Sequence, residues 1–160
     1  MELTELLAQE QTLTLKSFTN QEALQAGQYV INRAMQEQLS VAVELKRNGQ
    51  RLFYAALDGT APDQEEWIRR KSNVVLRHGH SSLYMRLYNE SKNRSYHTMY
   101  AVDPTDYADA GGSFPIRVTG VGVVGTITIS GLSQEADHQL AVDALTYLNE
   151  SRAWMLYKSD

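Results

Sequence analysis

The sequence has 160 residues, a net charge of −4 and no cysteine, so disulfides, thiolate metal ligands and a thiol nucleophile are excluded. A chain of this length is expected to form one domain, spanning residues 1–160, with a sizeable core. No dense basic run and no apolar run of membrane-spanning length occurs, so neither nucleic acid nor a membrane is expected as a partner. The acidic start lacks the features of a signal peptide, which favours a cytoplasmic location.

The first part of the chain is predicted to form a helix, a strand and a second helix. Residues 2–10 are predicted as the first helix, and residues 11–18 alternate between leucine and threonine as a half-buried strand does. Apolar side chains at helical spacing continue over residues 21–38, after an N-cap at Thr19 or Asn20.

A β-hairpin is predicted next, with Asn48-Gly49 as its turn. Strand-forming runs at residues 41–45 and 51–57 flank this pair. Asn-Gly between two such runs is the strongest short hairpin signal, because both turn residues need positive φ. The two strands should therefore pair in antiparallel fashion.

Two helices are predicted in the middle of the chain. Pro62 and the acids after it are typical of a helix start, and the helical spacing continues to His78. Gly79 ends this helix, and a second helix begins near Ser81 or Ser82.

The last third is predicted to contain a loop, two strands and a helix. Residues 89–114 are polar and are expected to form a long loop with one helical turn near Pro104. Two strands follow between Phe114 and Ser130, and Ser133 caps the final helix, whose apolar face is formed by Leu140, Ala141, Ala144, Leu145 and Leu148. This order predicts an α+β fold with a mainly antiparallel sheet of about five strands flanked by helices.

The last third also carries a specific glycine pattern. It consists of Gly111-Gly112-Ser113-Phe114-Pro115-Ile116, a glycine-rich strand that ends at Ser130-Gly131, and Gln134-Glu135-Ala136-Asp137-His138. This pattern resembles the signature of the GlcG/HbpS-like superfamily, the haem-degrading domain. Upstream, Glu66 to Lys71 and Gly79-His80-Ser81-Ser82 are similar to one cytosolic branch of it, found in bacteria and fungi.

The resemblance implies a profilin-like fold, self-association and a function. Members of the superfamily are linked to haem binding, haem degradation or small-molecule binding, and fungal relatives of this branch to chaperone-associated assemblies. A ligand-binding protein that binds or degrades haem, or binds another small anionic ligand, is therefore expected, with haem as the one cofactor. The alternative is a non-catalytic homo-oligomeric scaffold, in which the aromatic-rich stretches Tyr84–Tyr100 and Trp154–Tyr157 would form subunit contacts.

Candidate ligand-binding residues gather at the end of the last hairpin and the start of the last helix. Glycine lets a backbone or a ligand approach closely, so Gly111, Gly112 and Gly131 could line one pocket. The dipole of the last helix favours acids in its first turn, but not a cationic His138, which is therefore expected to be neutral. The predicted ligand-binding set comprises Gly111, Gly112, Phe114, Pro115, Gly131, Glu135, Asp137, His138 and His80.

The segment His78-Gly79-His80 is the most ligand-like cluster for a metal. A turn at Gly79 would let the two imidazoles converge, and either one could be an axial haem ligand. The alternative is a helix end, because His78 suits the C-terminal dipole and His80 precedes the next helix. Without a thiol or an HExxH motif, a structural zinc site is not expected.

Two further groups of residues have competing interpretations. Arg69-Arg70-Lys71 could hold an anionic group, or the arginines could pair with Glu65 and Glu66, four residues before each of them. Asp137 and His138 could form an acid–base dyad. Adjacent helical residues point about 100° apart, which disfavours the dyad.

Overall fold

The computed structural model describes the backbone of residues 1–159 and the side chains of residues 1–151. The predicted contacts of Trp154–Tyr157 therefore lie outside the described side chains. The elements are, in chain order, α1 (Leu3–Thr12), α2 (Asn20–Glu37), β1 (Ala42–Arg47), β2 (Gln50–Ala56), α3 (Asp63–His78), α4 (Ser82–Ser91), α5 (Tyr96–Tyr100), β3 (Ser113–Val118), β4 (Gly122–Ser130) and α6 (Gln134–Ser159).

The sheet is antiparallel throughout, with the strand order β2-β1-β4-β3. Asn48 and Gly49 have φ of 51° and 82° and join β1 to β2, as the Asn-Gly signal predicts. The central pair β1 and β4 aligns Val43 with Ile129 and Leu45 with Ile127. The predicted α+β class is therefore confirmed.

The prediction of about five strands was one strand too many, because residues 11–18 do not form a ladder. Helix α1 continues to Thr12, and only Leu15 pairs with a strand, at a single parallel bridge to Val118. Leu13 and Leu15 are both buried. The alternation of apolar residues therefore predicted the burial of the two leucines correctly. It did not predict a strand, because the chain leaves the edge of the sheet after this one bridge.

The two faces of the sheet differ in polarity. Helices α2 and α6 pack on the face that carries Val43, Leu45 and Ile127, where the larger core lies. Helix α3 packs on the other face, where β1 and β4 present the buried polar side chains Glu44 and Thr128. Ser130 of this polar face lines the first of the clefts described below.

The predicted loop over residues 89–114 is more ordered than its polarity suggested. The Asp103 carbonyl oxygen accepts from the N–H groups of Asp106 at 3.0 Å and Tyr107 at 3.1 Å, which is the helical turn predicted near Pro104. The short helix α5 was missed, since five residues are too few to show periodicity; burial of Tyr96 holds it in place.

The final helix begins as expected. The Ser133 hydroxyl accepts from the Ala136 N–H at 3.2 Å, and the predicted apolar face of α6 is buried. Among the described residues, no helix combines the length and the hydropathy needed to span a membrane.

Candidate functional site

The predicted ligand-binding residues do not form one site. Gly111, Gly131 and Asp137 line a cleft of about 270 Å³ between α3 and the first turn of α6, called here the α3–α6 cleft. His80 lines a different cleft, at the start of α4. The remaining predicted residues line neither of them.

Lys71 forms the floor of the α3–α6 cleft together with Asp137. Its ammonium donates to the carbonyl oxygens of Gly111 at 3.1 Å and Ile129 at 2.6 Å, and to Asp137 Oδ2 at 3.3 Å. Three acceptors match the three N–H donors of a lysine ammonium. Burial lowers the pKa of Lys71 and raises the pKa of Asp137, while their mutual attraction opposes both shifts.

The burial of Lys71 was not predicted, although the sequence contained a signal for it. Lys71 lies at helical spacing from Val74 and Val75, which are fully buried in α3. A lysine within the apolar stripe of a helix must either extend to water or find acceptors inside. Here it finds acceptors, so only about 2% of the residue is exposed.

The glycines of this cleft are explained by close backbone packing. A Cβ atom on Gly111 would lie 2.3 Å from the Gln134 carbonyl oxygen, and one on Gly112 would lie 2.3 Å from that of Ile129. Gly131 has a φ of 141°, and its Cβ would lie 2.2 Å from the Ser40 carbonyl oxygen. These positions need glycine whether or not a ligand binds.

Besides His80, four of the predicted residues lie away from the α3–α6 cleft. Phe114 and Pro115 are buried within β3, and Glu135 is exposed on α6. His138 is fully buried, with its Nε2 2.8 Å from Gln9 Oε1 and its ring edge-on to that of Phe114. Burial lowers the pKa of His138 from 6.5 to about 4, as expected for a neutral imidazole.

His78 and His80 line one cleft of about 290 Å³, together with Met85 and three tyrosines: Tyr84, Tyr88 and Tyr100. It is called here the tyrosine cleft. His78 Nε2 is 2.8 Å from the Tyr96 hydroxyl, so that nitrogen already has a partner. Burial lowers the pKa of His78, and the charges of Arg77 and His80 lower it further.

His80 is held differently, through a buried carboxylate. Its Nδ1 lies 2.8 Å from Glu10 Oε2, while Glu10 Oε1 accepts from the Ser81 N–H at 2.7 Å. Because a carboxylate accepts, Nδ1 of His80 carries a proton in this contact, and in the neutral imidazole Nε2 is then the nitrogen with the lone pair. Among the described residues Nε2 has no hydrogen-bond partner, and 37% of the side chain is exposed.

Glu10 is the residue that sequence reasoning missed at this site. It lies in α1, far from His80 in sequence, and only 4% of it is exposed. A carboxylate behind an imidazole fixes the tautomer and the ring orientation and raises the basicity of the free nitrogen. No cluster of three or more His, Cys, Asp or Glu residues suited to a metal ion occurs among the described residues.

Residues 18–146 match the sequence model of a family described as haem degrading protein HbpS-like. The chain belongs to the HbpS-like family. A UPF0303 protein of Streptomyces coelicolor is 44% identical to it over 141 residues, which cover 88% of this chain and 89% of that protein. The superfamily predicted from the glycine pattern is thereby confirmed.

Solved structures also resemble this HbpS-like chain. The Ybr137w protein superposes with a TM-score of 0.86 at 35% identity, covering 94% of this chain and 90% of that one. A PduOC:haem complex superposes with a TM-score of 0.70 at 17% identity, covering 81% and 94%. At that identity, the second likeness establishes a shared fold alone.

Proposed function

We propose that this HbpS-like protein binds haem in the tyrosine cleft, with His80 as an axial ligand. The observation that supports the proposal is the free Nε2 of His80, backed by the buried Glu10 carboxylate at 2.8 Å. A neutral imidazole with a fixed tautomer is a common axial ligand of haem iron. His78 is less suited, because its Nε2 is bonded to Tyr96.

The residues around His80 fit the chemistry of a haem. Tyr84 and Tyr88 stack with ring centroids 5.7 Å apart, and Tyr84 contacts the His80 ring at 4.7 Å, so flat aromatic surfaces adjoin the ligand. The cations Lys92 and Arg94 lie 5.8 and 5.4 Å from the Tyr88 ring centroid. They would hold the propionates, as arginine and lysine do for carboxylates.

If haem is also degraded, the cofactor itself supplies oxygen activation, with electrons from an external reductant. The protein's part would be to hold the iron through His80, to keep that imidazole in one orientation through Glu10, and to shield one side of the site with tyrosine rings.

Hemin titration of the purified protein tests the proposal. The expected result is a sharp, saturable Soret shift with one site per chain, which is lost in His80→Ala. Glu10→Gln should weaken binding by about 10–100-fold, since it removes the charge behind the imidazole. Addition of a reductant then tests degradation.

His97→Ala provides the matched control. His97 Nε2 is bonded to the Tyr107 carbonyl oxygen at 2.7 Å, and the residue does not line the tyrosine cleft. Its removal should leave the titration unchanged. A weak, non-saturating change that survives His80→Ala would refute haem binding at this site.

A homo-oligomeric scaffold is the second candidate, and the free edge of the sheet favours it. In the part of the chain that the structure describes, strand β2 pairs with β1 on one side only, and it contains no proline, which would block pairing with another strand. Met35 and Val121 are also largely exposed. A negative result in the hemin titration would make this candidate the preferred one.

A further inference from the structure

The α3–α6 cleft is not used by the proposed haem site. Gln64, Trp67 and Lys71 lie along one side of α3 and line it, opposite Gln134 and Asp137 on α6. The charges of Lys71 and Asp137 cancel at its floor. What the cleft can bind therefore depends on the groups at its mouth.

Hydrogen-bond donors without acceptors face this mouth. The Gly111 N–H donates to Gln134 Oε1 at 3.2 Å, which fixes the amide so that its NH₂ group is the free end. The Ser130 hydroxyl likewise donates to Gln64 Oε1 at 2.6 Å. Among the described residues, neither NH₂ group has an acceptor, and the same holds for the Trp67 indole N–H.

One positive charge beside the mouth also lacks a carboxylate partner among the described side chains. The Arg70 guanidinium lies over the Trp67 ring, 4.3 Å from its centroid, and Arg70 Nε donates only to the Glu66 carbonyl oxygen. Arg69 differs, since it pairs with Glu66 and with Asp106, each at 3.1 Å. Glu65 pairs with Arg51. Neither of the predicted pairs of α3, Glu65 with Arg69 and Glu66 with Arg70, therefore forms among the described side chains.

We propose that the α3–α6 cleft binds a small organic carboxylate. The two amide NH₂ groups would donate to its oxygens, and Arg70 would supply the one uncompensated charge. A single unpaired cation matches a monoanion better than doubly charged phosphate.

The test uses lactate as the probe and ¹⁵N-resolved NMR of the full chain without haem, so its outcome does not depend on the haem proposal. Lactate should shift the side-chain amide signals of Gln64 and Gln134 and the indole signal of Trp67, each with the same saturation. Arg70→Gln should weaken the affinity about tenfold, as loss of a charge-assisted contact does. Gln134→Glu, which places a negative charge in the mouth, should abolish binding.

Arg69→Gln is the matched control, because it removes the same charge one residue away and should change the affinity less than about twofold. Lactamide and inorganic phosphate serve as the uncharged and the doubly charged probes. The proposal is overturned if no saturable shift occurs, if lactamide binds as well as lactate, if phosphate binds more tightly, or if Arg69→Gln weakens binding as much as Arg70→Gln.

Discussion

Two neighbouring residues in the first turn of α6 have unrelated surroundings. Asp137 faces Lys71 and the α3–α6 cleft, while His138 is turned toward Gln9 and Phe114. Helix geometry alone disfavours a dyad of these two residues, and in the structure each of them has its own partner. His138 is a neutral, buried polar group, and its Nδ1 has no partner among the described residues.

The burial of His138 makes stability depend on pH. Its folded pKa of about 4 lies below the unfolded value of 6.5. As the pH falls through this window, the His138 imidazole is protonated in the unfolded chain before it is protonated in the folded protein. The free energy of unfolding therefore decreases as the pH decreases. Between about pH 7.5 and about pH 5, the loss should be roughly 2 kcal/mol.

Urea denaturation of the wild type and of His138→Gln at both pH values measures this contribution. Other groups, such as Asp137 with its raised pKa, act in both proteins, so the difference between the two pH slopes isolates His138. The wild type should lose roughly 2 kcal/mol more than the variant. Equal losses would show that His138 is not the group responsible.

At the scale of elements, the turn between α3 and α4 positions both histidines of the tyrosine cleft. Gly79 ends α3 with a φ of 72°, and Ser81 then caps α4 by accepting from the Tyr84 N–H at 3.1 Å. Helix α1 completes the arrangement, because it supplies Glu10 to His80. The site therefore depends on one tight turn and one packed helix.

Gly79→Ala should destabilise the protein by about 1–2 kcal/mol, measured by chemical denaturation, because a Cβ is strained at this positive φ. The nearest atom to that Cβ would be 3.8 Å away, so the cost is conformational and not steric. Gly79→Asn should cost less, since asparagine tolerates the left-handed region. An asparagine variant as unstable as the alanine variant would contradict this explanation.

Across the whole molecule, the Lys71 ammonium ties three elements together. It extends from α3 to the backbone of β4 and to Asp137 of α6, with 3% of its side chain exposed. The Lys71 side chain therefore connects helix α3 to the sheet and to helix α6. A buried pair of this kind is costly to break from one side, because the remaining charge has no opposite charge beside it.

Lys71→Met should therefore lower the free energy of unfolding by on the order of 3–5 kcal/mol. Adding Asp137→Asn to it should recover part of the loss, since the second change removes the unpaired carboxylate. Denaturation of the two single variants and the double variant gives the coupling energy. Additive losses would mean that the two charges do not stabilise each other.

The sequence by itself determined every helix except α5, the Asn48-Gly49 hairpin, the antiparallel α+β class and the family. These properties depend on capping, turn chemistry and periodicity within short windows, or on a local glycine pattern. The profilin-like likeness stays a prediction.

Only the tertiary structure decided which residues share a cleft. The contact of Glu10 with His80, the contacts of Lys71 with Ile129 and Asp137, and the single bridge at Leu15 join residues far apart in the chain. No local pattern specifies such contacts, because they depend on how helices α1, α3 and α6 pack around the sheet. The separation of the predicted ligand-binding residues into two clefts, a buried core and an exposed position on α6 is a consequence of that packing.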